Sequence, residues 1–227
     1  MAVRLASDVD QAVVNSGELV SEANLPMETH AGFTEAPPFA IPSKKLVMWL
    51  FIISDAVTFA ALLFAYGYIK NASTNWPTPF KFSPSIVNVM LMTFILVSSS
   101  LTMLIATRAA KAADKVGAIR WTFVTVAGGI LFALLHLREW LGLISEGVKL
   151  FENPWGSPMF GATFFAITGL HLTHVLAGVI ALTVVALGYR RGRYQSDDIA
   201  VWSLYWHFVD LVWMFVVPMV YLLNVAR

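Results

Sequence analysis

Five long stretches of predominantly apolar residues, at about 46–69, 85–107, 121–145, 160–188 and 200–223, constrain this chain more than any short motif does. The hydrocarbon core of a bilayer is crossed by roughly 20 apolar residues in helical form, and each stretch meets that length. Backbone amides and carbonyls in lipid must find partners within the segment, which leaves helices or closed barrels. The stretches are too long and too weakly alternating for barrel strands. The sequence therefore predicts an all-α, polytopic membrane protein, with a bundle of five transmembrane helices within residues 44–227. Composition agrees: 58% of the 227 residues are hydrophobic and only 13% charged, with a mean hydropathy of +0.70, well outside the soluble globular range.

The first 43 residues differ from the rest. They carry Asp8, Asp10, Glu18, Glu22, Glu28 and Glu35 together with Pro26, Pro37, Pro38 and Pro42, and read as a polar, extended N-terminal tail. They lack the basic start, apolar middle and small-residue cleavage site of a signal peptide. Lys and Arg in the short flanks set the orientation. One side holds ten: Arg4, Lys44, Lys45, Arg108, Lys111, Lys115, Arg120, Arg190, Arg191 and Arg193. The other holds four, namely Lys70, Lys81, Lys149 and Arg227, so the N-terminus is expected to be cytoplasmic. Trp76, Trp121, Trp140, Trp155 and Trp202 fall near predicted span ends, where amphipathic rings favour the interface.

The chain has no cysteine, which excludes disulfides, thiolate-ligated zinc, iron-sulfur clusters, covalently attached haem and a dithiolate copper centre. His, Met and carboxylates remain as possible metal ligands. A net charge of +1 without a basic stripe offers no footprint for a nucleic-acid partner.

At a rise of about 1.5 Å per residue, several ionisable residues fall within a turn or two of the midplane. Asp55 lies on the first span, His171 and His174 on the fourth, His207 and Asp210 on the fifth. Such groups cost several kcal/mol in hydrocarbon unless they face protein or water and find partners. A shared buried polar layer, structural or proton-related, is the arrangement expected of them. His171, His174, Gly178 and Ala181 share one helical stripe, and His207, Asp210 and Met214 another. Asn88, Ser98, Ser99, Ser100 and Thr102 on the second span, with Thr122, Thr125, Gly128 and Gly129 on the third, add polar and small surface. A second polar group, His136, Arg138 and Glu139, is expected in the outer half of the third span, Arg138 reaching the interface or a carboxylate.

These residues admit different readings. His207 opposite His171 or His174 is compatible with a haem b membrane anchor. Acidic or hydroxyl neighbours (Thr168, Thr173, Asp210) favour histidines that simply cement helices together. Asp55 can be a proton carrier or a paired structural carboxylate. A small secondary transporter would be expected to show internal repeats or broken helices. The chain has no evident repeat, and Pro218 is its main proline near mid-span.

One family accounts for these markers together. "GATFFAITGLHLTHVLAGVIAL" at 161–182 and "WHFVDLVWMFVVPMVYLL" at 206–223 closely resemble the last two helices of subunit III of the haem-copper terminal oxidases. Thr168, Gly169, His171, His174, Val175, Trp206, His207, Phe208, Val209, Asp210, Val212 and Trp213 match its usual pattern. "LFIISDAVTFAALLFAY" at 50–66, "NWP" at 75–77, "PSIVNVMLMTFILVSSSLT" and "REW" at 138–140 resemble its earlier segments, so the similarity covers residues 45–224. Leu172 stands where the family usually has glycine. Asp55 stands where cytochrome c oxidases mostly have Glu and short quinol-oxidase members often have Asp. Five spans rather than seven mark a short form, without the two helices that complete the family's lipid-filled cleft.

The resemblance implies an accessory subunit III of a proton-pumping, oxygen-reducing oxidase of the cytochrome c type, which stabilises subunit I and supports proton uptake. It implies no catalytic and no metal-binding residue in this chain, with haem and copper held by partner subunits. A haem-copper core needs six ligating histidines, and the chain has five including His30. Implied partners are oxidase subunits I and II, phospholipid and a larger respiratory supercomplex; the implied location is the bacterial inner membrane. Subunit III of a quinol oxidase, or a similar protein accompanying nitric oxide reductase, would share the same motifs.

Overall fold

The computed structural model describes residues 42–225. Residues 1–41, which contain most of the tail with Arg4 and His30, and residues 226–227, with Arg227, lie outside the described part. Five helices are each long and apolar enough to cross a membrane. They are α1 (Ser43–Ala72), α2 (Val87–Lys111), α3 (Lys115–Ser145), α4 (Met159–Arg190) and α5 (Ser196–Val216). The protein is an all-α integral membrane protein, and strands are absent among the described residues apart from an isolated bridge between Phe80 and Val225.

Each helix runs a few residues past its apolar stretch, because a helical ladder continues into the headgroup region wherever its ends are satisfied. α3 begins at Lys115, six residues before the apolar run, because the Asp114 carboxylate accepts from the Gly117 amide at 2.9 Å. α5 begins at Ser196 through a capping box: the Asp198 carboxylate accepts from the Gln195 amide at 2.8 Å, and the Gln195 side chain engages the Asp198 amide. Pro218 does not break mid-span. It sits in a wide turn, Val217–Tyr221, that closes α5 and passes into a short 3₁₀ turn, Leu222–Asn224. Proline has no amide to donate, so the ladder is re-registered there. Before α2, a turn over Phe82–Ile86 contains an extended Ser83 (φ −122°, ψ 133°).

The core is built by α2, α3, α4 and α5, while α1 packs chiefly against α4 and α5. Two tryptophans of α5 fill the centre. Trp206 and Trp213 are seven residues apart on one face of the helix, and both are fully buried. Trp206 fits because its neighbours lack side chains: a Cβ on Gly129 of α3 would come within 2.5 Å of its ring, and one on Gly178 of α4 within 2.9 Å. The glycines thus set the close approach of α3 and α4 around α5.

The two ends of the bundle are closed differently. At one end Lys44 Nζ reaches the Asp198 carboxylate at 2.6 Å, and Lys45 approaches Asp197 at 3.6 Å. At the other, Lys70 donates to the Leu223 carbonyl at 2.8 Å, and the Trp76 indole donates to Asn224 Oδ1 at 3.0 Å. Asn224 is fully buried there; its amide nitrogen donates to the Tyr66 hydroxyl oxygen and to the Val220 carbonyl. Around it Phe80, Phe160, Phe164 and Tyr221 form an aromatic cluster with ring centroids 4.9–6.2 Å apart.

Candidate functional site

The polar residues expected as one layer fall into separate groups. Asp55 of α1 and His174 of α4 meet directly: His174 Nε2 is 3.1 Å from Asp55 Oδ2, and Nδ1 is 2.8 Å from the Leu170 carbonyl. An imidazole with a carbonyl acceptor at Nδ1 is held there by its Nδ1–H. Both side chains are mostly buried, at 17% and 19% exposure. Phe59 packs edge-on against the imidazole with centroids 5.3 Å apart. The Tyr205 hydroxyl donates to the His174 carbonyl at 3.0 Å, tying α5 to the same point. Asp55 and His174 therefore bind three helices into one unit.

His207 and Asp210 are half-buried on α5, and Asp210 lies beside Ser100 of α2. No hydrogen bond or ion pair joins them to Asp55 and His174 among the described residues. Of the second polar group, two members approach each other: the Tyr221 hydroxyl donates to Glu139 Oε2 at 3.1 Å, and His136 Nδ1 is 3.8 Å from the same oxygen. Arg138, one residue away, is exposed.

His171 corrects the expectation of satisfied histidines. It is fully buried, yet neither ring nitrogen has a hydrogen-bond partner among the described residues; the same holds for His136. The hydroxyls expected to serve them are engaged elsewhere. Thr168 donates to the Phe164 carbonyl at 2.7 Å, and Thr173 to the Leu170 carbonyl at 2.7 Å. In a helix the nearest acceptor for a threonine hydroxyl is its own preceding turn, so local back-bonding outcompetes a neighbouring imidazole. His171 instead stacks on Trp213, centroids 5.0 Å apart, with Phe132 edge-on at 5.8 Å.

This geometry does not support the haem-anchor reading. Trp213 covers one face of the His171 ring at stacking distance, and both nitrogens of His174 are engaged. Among the described residues no three His, Asp or Glu side chains converge as a metal site.

Other cross-helix contacts involve no ionisable side chain. Four indoles each donate to a side-chain oxygen on another element: Trp206 to Ser99 (3.0 Å), Trp213 to Thr93 (3.1 Å), Trp140 to Thr168 (3.2 Å) and Trp76 to Asn224. Thr102 and Thr125 share a hydrogen bond of 2.8 Å between α2 and α3. The heptad spacing of Trp206 and Trp213 was a signal for a shared inward face. Nothing in the apolar context of Asn224 or Tyr221 signals their roles. Chemically the described residues offer a tightly cross-bonded interior.

Comparison with known proteins identifies the family. The family model described as "Cytochrome c oxidase subunit III" matches residues 33–225. "Quinol oxidase subunit 3" of Bacillus subtilis is 31% identical over 185 residues, covering 80% of this chain and 87% of that protein. "Cytochrome c oxidase subunit 3" of Corynebacterium diphtheriae is 32% identical over 179 residues, covering 76% and 85%. The protein of the same name from Bacillus sp. strain PS3 is 32% identical over 187 residues, covering 81% and 87%.

Proposed function

We propose, on the premise that the chain belongs to the cytochrome c oxidase subunit III family and is an accessory subunit III of a haem-copper oxidase, a specific part for it in the complex. It packs against subunit I of a proton-pumping terminal oxidase, beside subunit II, stabilises the catalytic centre during turnover and supports proton uptake from the cytoplasmic side. Haem and copper belong to those partner subunits, and the setting is the bacterial inner membrane. The same oxidase is a candidate member of a larger respiratory supercomplex.

The observation that supports this reading is where the family's marker residues fall. Trp206, Trp213, Thr168 and His171 are sealed inside the bundle, so they stabilise a shape rather than carry a reaction. Outward, α1 presents Leu46, Leu50, Ile53, Val57 and Phe64 at 47–76% exposure, a surface suited to lipid or to a partner's helices. Orientation is proposed from charge. The end that holds Lys44 and Asp198 gathers nine Lys and Arg side chains, against Lys70, Lys81, Arg138 and Lys149 at the end that holds Asn224. That bias supports a cytoplasmic location for the Lys44 end.

Affinity purification of the tagged chain from membranes tests the reading. Subunits I and II, with their haem absorption, are expected to copurify in stoichiometric amount; a chain that purifies alone in mild detergent would contradict it. Oxidation assays on that complex then identify the donor. We propose cytochrome c, and the likeness to the Bacillus subtilis protein supports quinol as the second reading.

Asp55 is proposed as a pairing carboxylate in the first instance. Asp55→Asn keeps a side chain able to engage His174, so assembly and oxygen consumption are expected to persist with activity altered less than about threefold. Proton translocation measured in reconstituted vesicles checks this. Complete loss of pumping with intact assembly would make Asp55 a primary proton carrier.

A further inference from the structure

α5 turns one face outward between α1 and α2. Phe208, Val212 and Phe215 point toward α1, where they line a groove with Ala56 and Ala60. Trp206 and Trp213 point toward α2, donating to Ser99 and Thr93. His207, Asp210 and Met214, spaced by three and four residues, occupy the arc between those two sides. Asp210 is the fifteenth of the 29 residues of its span, Ser196–Asn224, so the pair stands close to the middle of the bilayer.

Neither side chain is sealed or satisfied within the chain. Asp210 Oδ1 is enclosed beside Ser100 of α2 and finds no hydrogen-bond partner among the described residues. Oδ2 and the two ring nitrogens of His207 keep access to the surface and make no hydrogen bond among the described residues, and no ion pair joins the two side chains there. An acid and an imidazole open to hydrocarbon at this depth are costly, and intramembrane groups of this kind face protein or water. The outer face of α1 makes no such demand. Its Thr58 hydroxyl is turned back onto the Ser54 carbonyl at 3.1 Å, and Ile53, Val57 and Phe64 around it are apolar, so lipid alone suits it. At the α2–α5 seam, by contrast, an apolar rim of Met214 (45% exposed), Val97 (40%) and Leu104 (39%) frames a polar centre. Val97, Ser100 and Leu104 share one stripe of α2, and Ser100 sets that stripe against Asp210.

We infer that the seam of α2 and α5 is the surface on which subunit I docks, and that one of its transmembrane helices lays a neutral hydrogen-bond donor, a hydroxyl or a carboxamide, against Asp210 Oδ2 and His207. A neutral donor satisfies the pair without bringing a further charge that must itself be desolvated. Apolar packing between membrane helices is permissive about register, whereas a single polar contact at the midplane fixes it. The inference rests on the reading of the chain as subunit III and adds to it the face, the depth and the chemistry of the contact.

Photocrosslinking in native membranes tests the face. p-Benzoylphenylalanine placed at Val97 or Met214 is expected to capture subunit I, and at Val57, on the outer face of α1, to capture none. Release of subunit I from the tagged complex on detergent titration tests the chemistry. Asp210→Leu is expected to raise the free-to-bound ratio about tenfold, and Asp210→Asn, which keeps an oxygen acceptor, to stay within about threefold of wild type. Unfolding of the full-length chain in mixed micelles, read in parallel, is expected to be unchanged by Asp210→Leu, because no hydrogen bond within the chain is lost. A fall in the bundle's own stability that matched the loss of association would assign Asp210 to the fold and overturn the inference. Capture of subunit I from Val57 but not from Val97 and Met214, capture of lipid alone at the seam, or equal retention by Asp210→Leu and wild type would overturn it too, while subunits I and II still copurify. A chain that purifies without subunit I defeats the functional reading itself, and the inference with it.

Discussion

Replacing Trp206 by alanine is expected to lower the stability of the bundle by about 3–5 kcal/mol, the range for deleting a large aromatic from a close-packed interior. The indole is fully buried, donates to Ser99 at 3.0 Å and is seated between Gly129 and Gly178. In lipid this loss is not one of burial from water, because the tails are as apolar as the side chain. It is the loss of van der Waals contact between helices and of one interhelical hydrogen bond. No neighbour can refill the gap, since two of the residues facing it are glycines. Unfolding in mixed micelles of rising SDS fraction, followed by circular dichroism, measures the change. Leu141→Ala, on the exposed face of α3, is the control and is expected to shift stability by less than about 0.5 kcal/mol. Equal shifts for the two variants would contradict the keystone role given to Trp206.

The second large effect concerns the complex. An oxidase purified without this subunit is expected to keep its haem spectrum and its initial rate, yet to lose activity several-fold faster during continuous turnover. The physical reason is that a cross-bonded bundle restrains the partner helices it covers, and a restraint acts on slow local opening more than on the chemical step. Oxygen consumption followed to exhaustion, with and without the subunit added back, checks the prediction. Loss of a haem band together with the subunit would show that the chain contributes to a redox centre after all.

Much of this was legible in the sequence because hydrocarbon permits so few backbone arrangements. The five apolar stretches predicted five spanning helices, each within a few residues of the observed core. The ends were less legible, since Asp114 and the Gln195–Asp198 box extend helices into polar sequence that hydropathy alone leaves out. The candidate site was legible residue by residue and only partly as a set. Asp55 and His174, 119 positions apart, carried polar markers at matched depth, and they meet. His207 and Asp210 carried markers of the same kind and join a different surface, beside Ser100. Depth along a helix follows from counting residues, but azimuth relative to a neighbour depends on how all five helices cross.

By itself, then, the sequence determined the class of fold, the number of spans, the asymmetry of charge between the two ends and the family, since each follows from composition and order along one chain. Only the tertiary structure decided which polar groups pair. It gave the threonine hydroxyls to their own preceding turns, left His136 and His171 among aromatic rings, and set Asn224 as the buried link between Tyr66 and Trp76. A hydrogen bond is directional and short-ranged, so its partner is chosen by ångström-scale placement that no one-dimensional pattern contains.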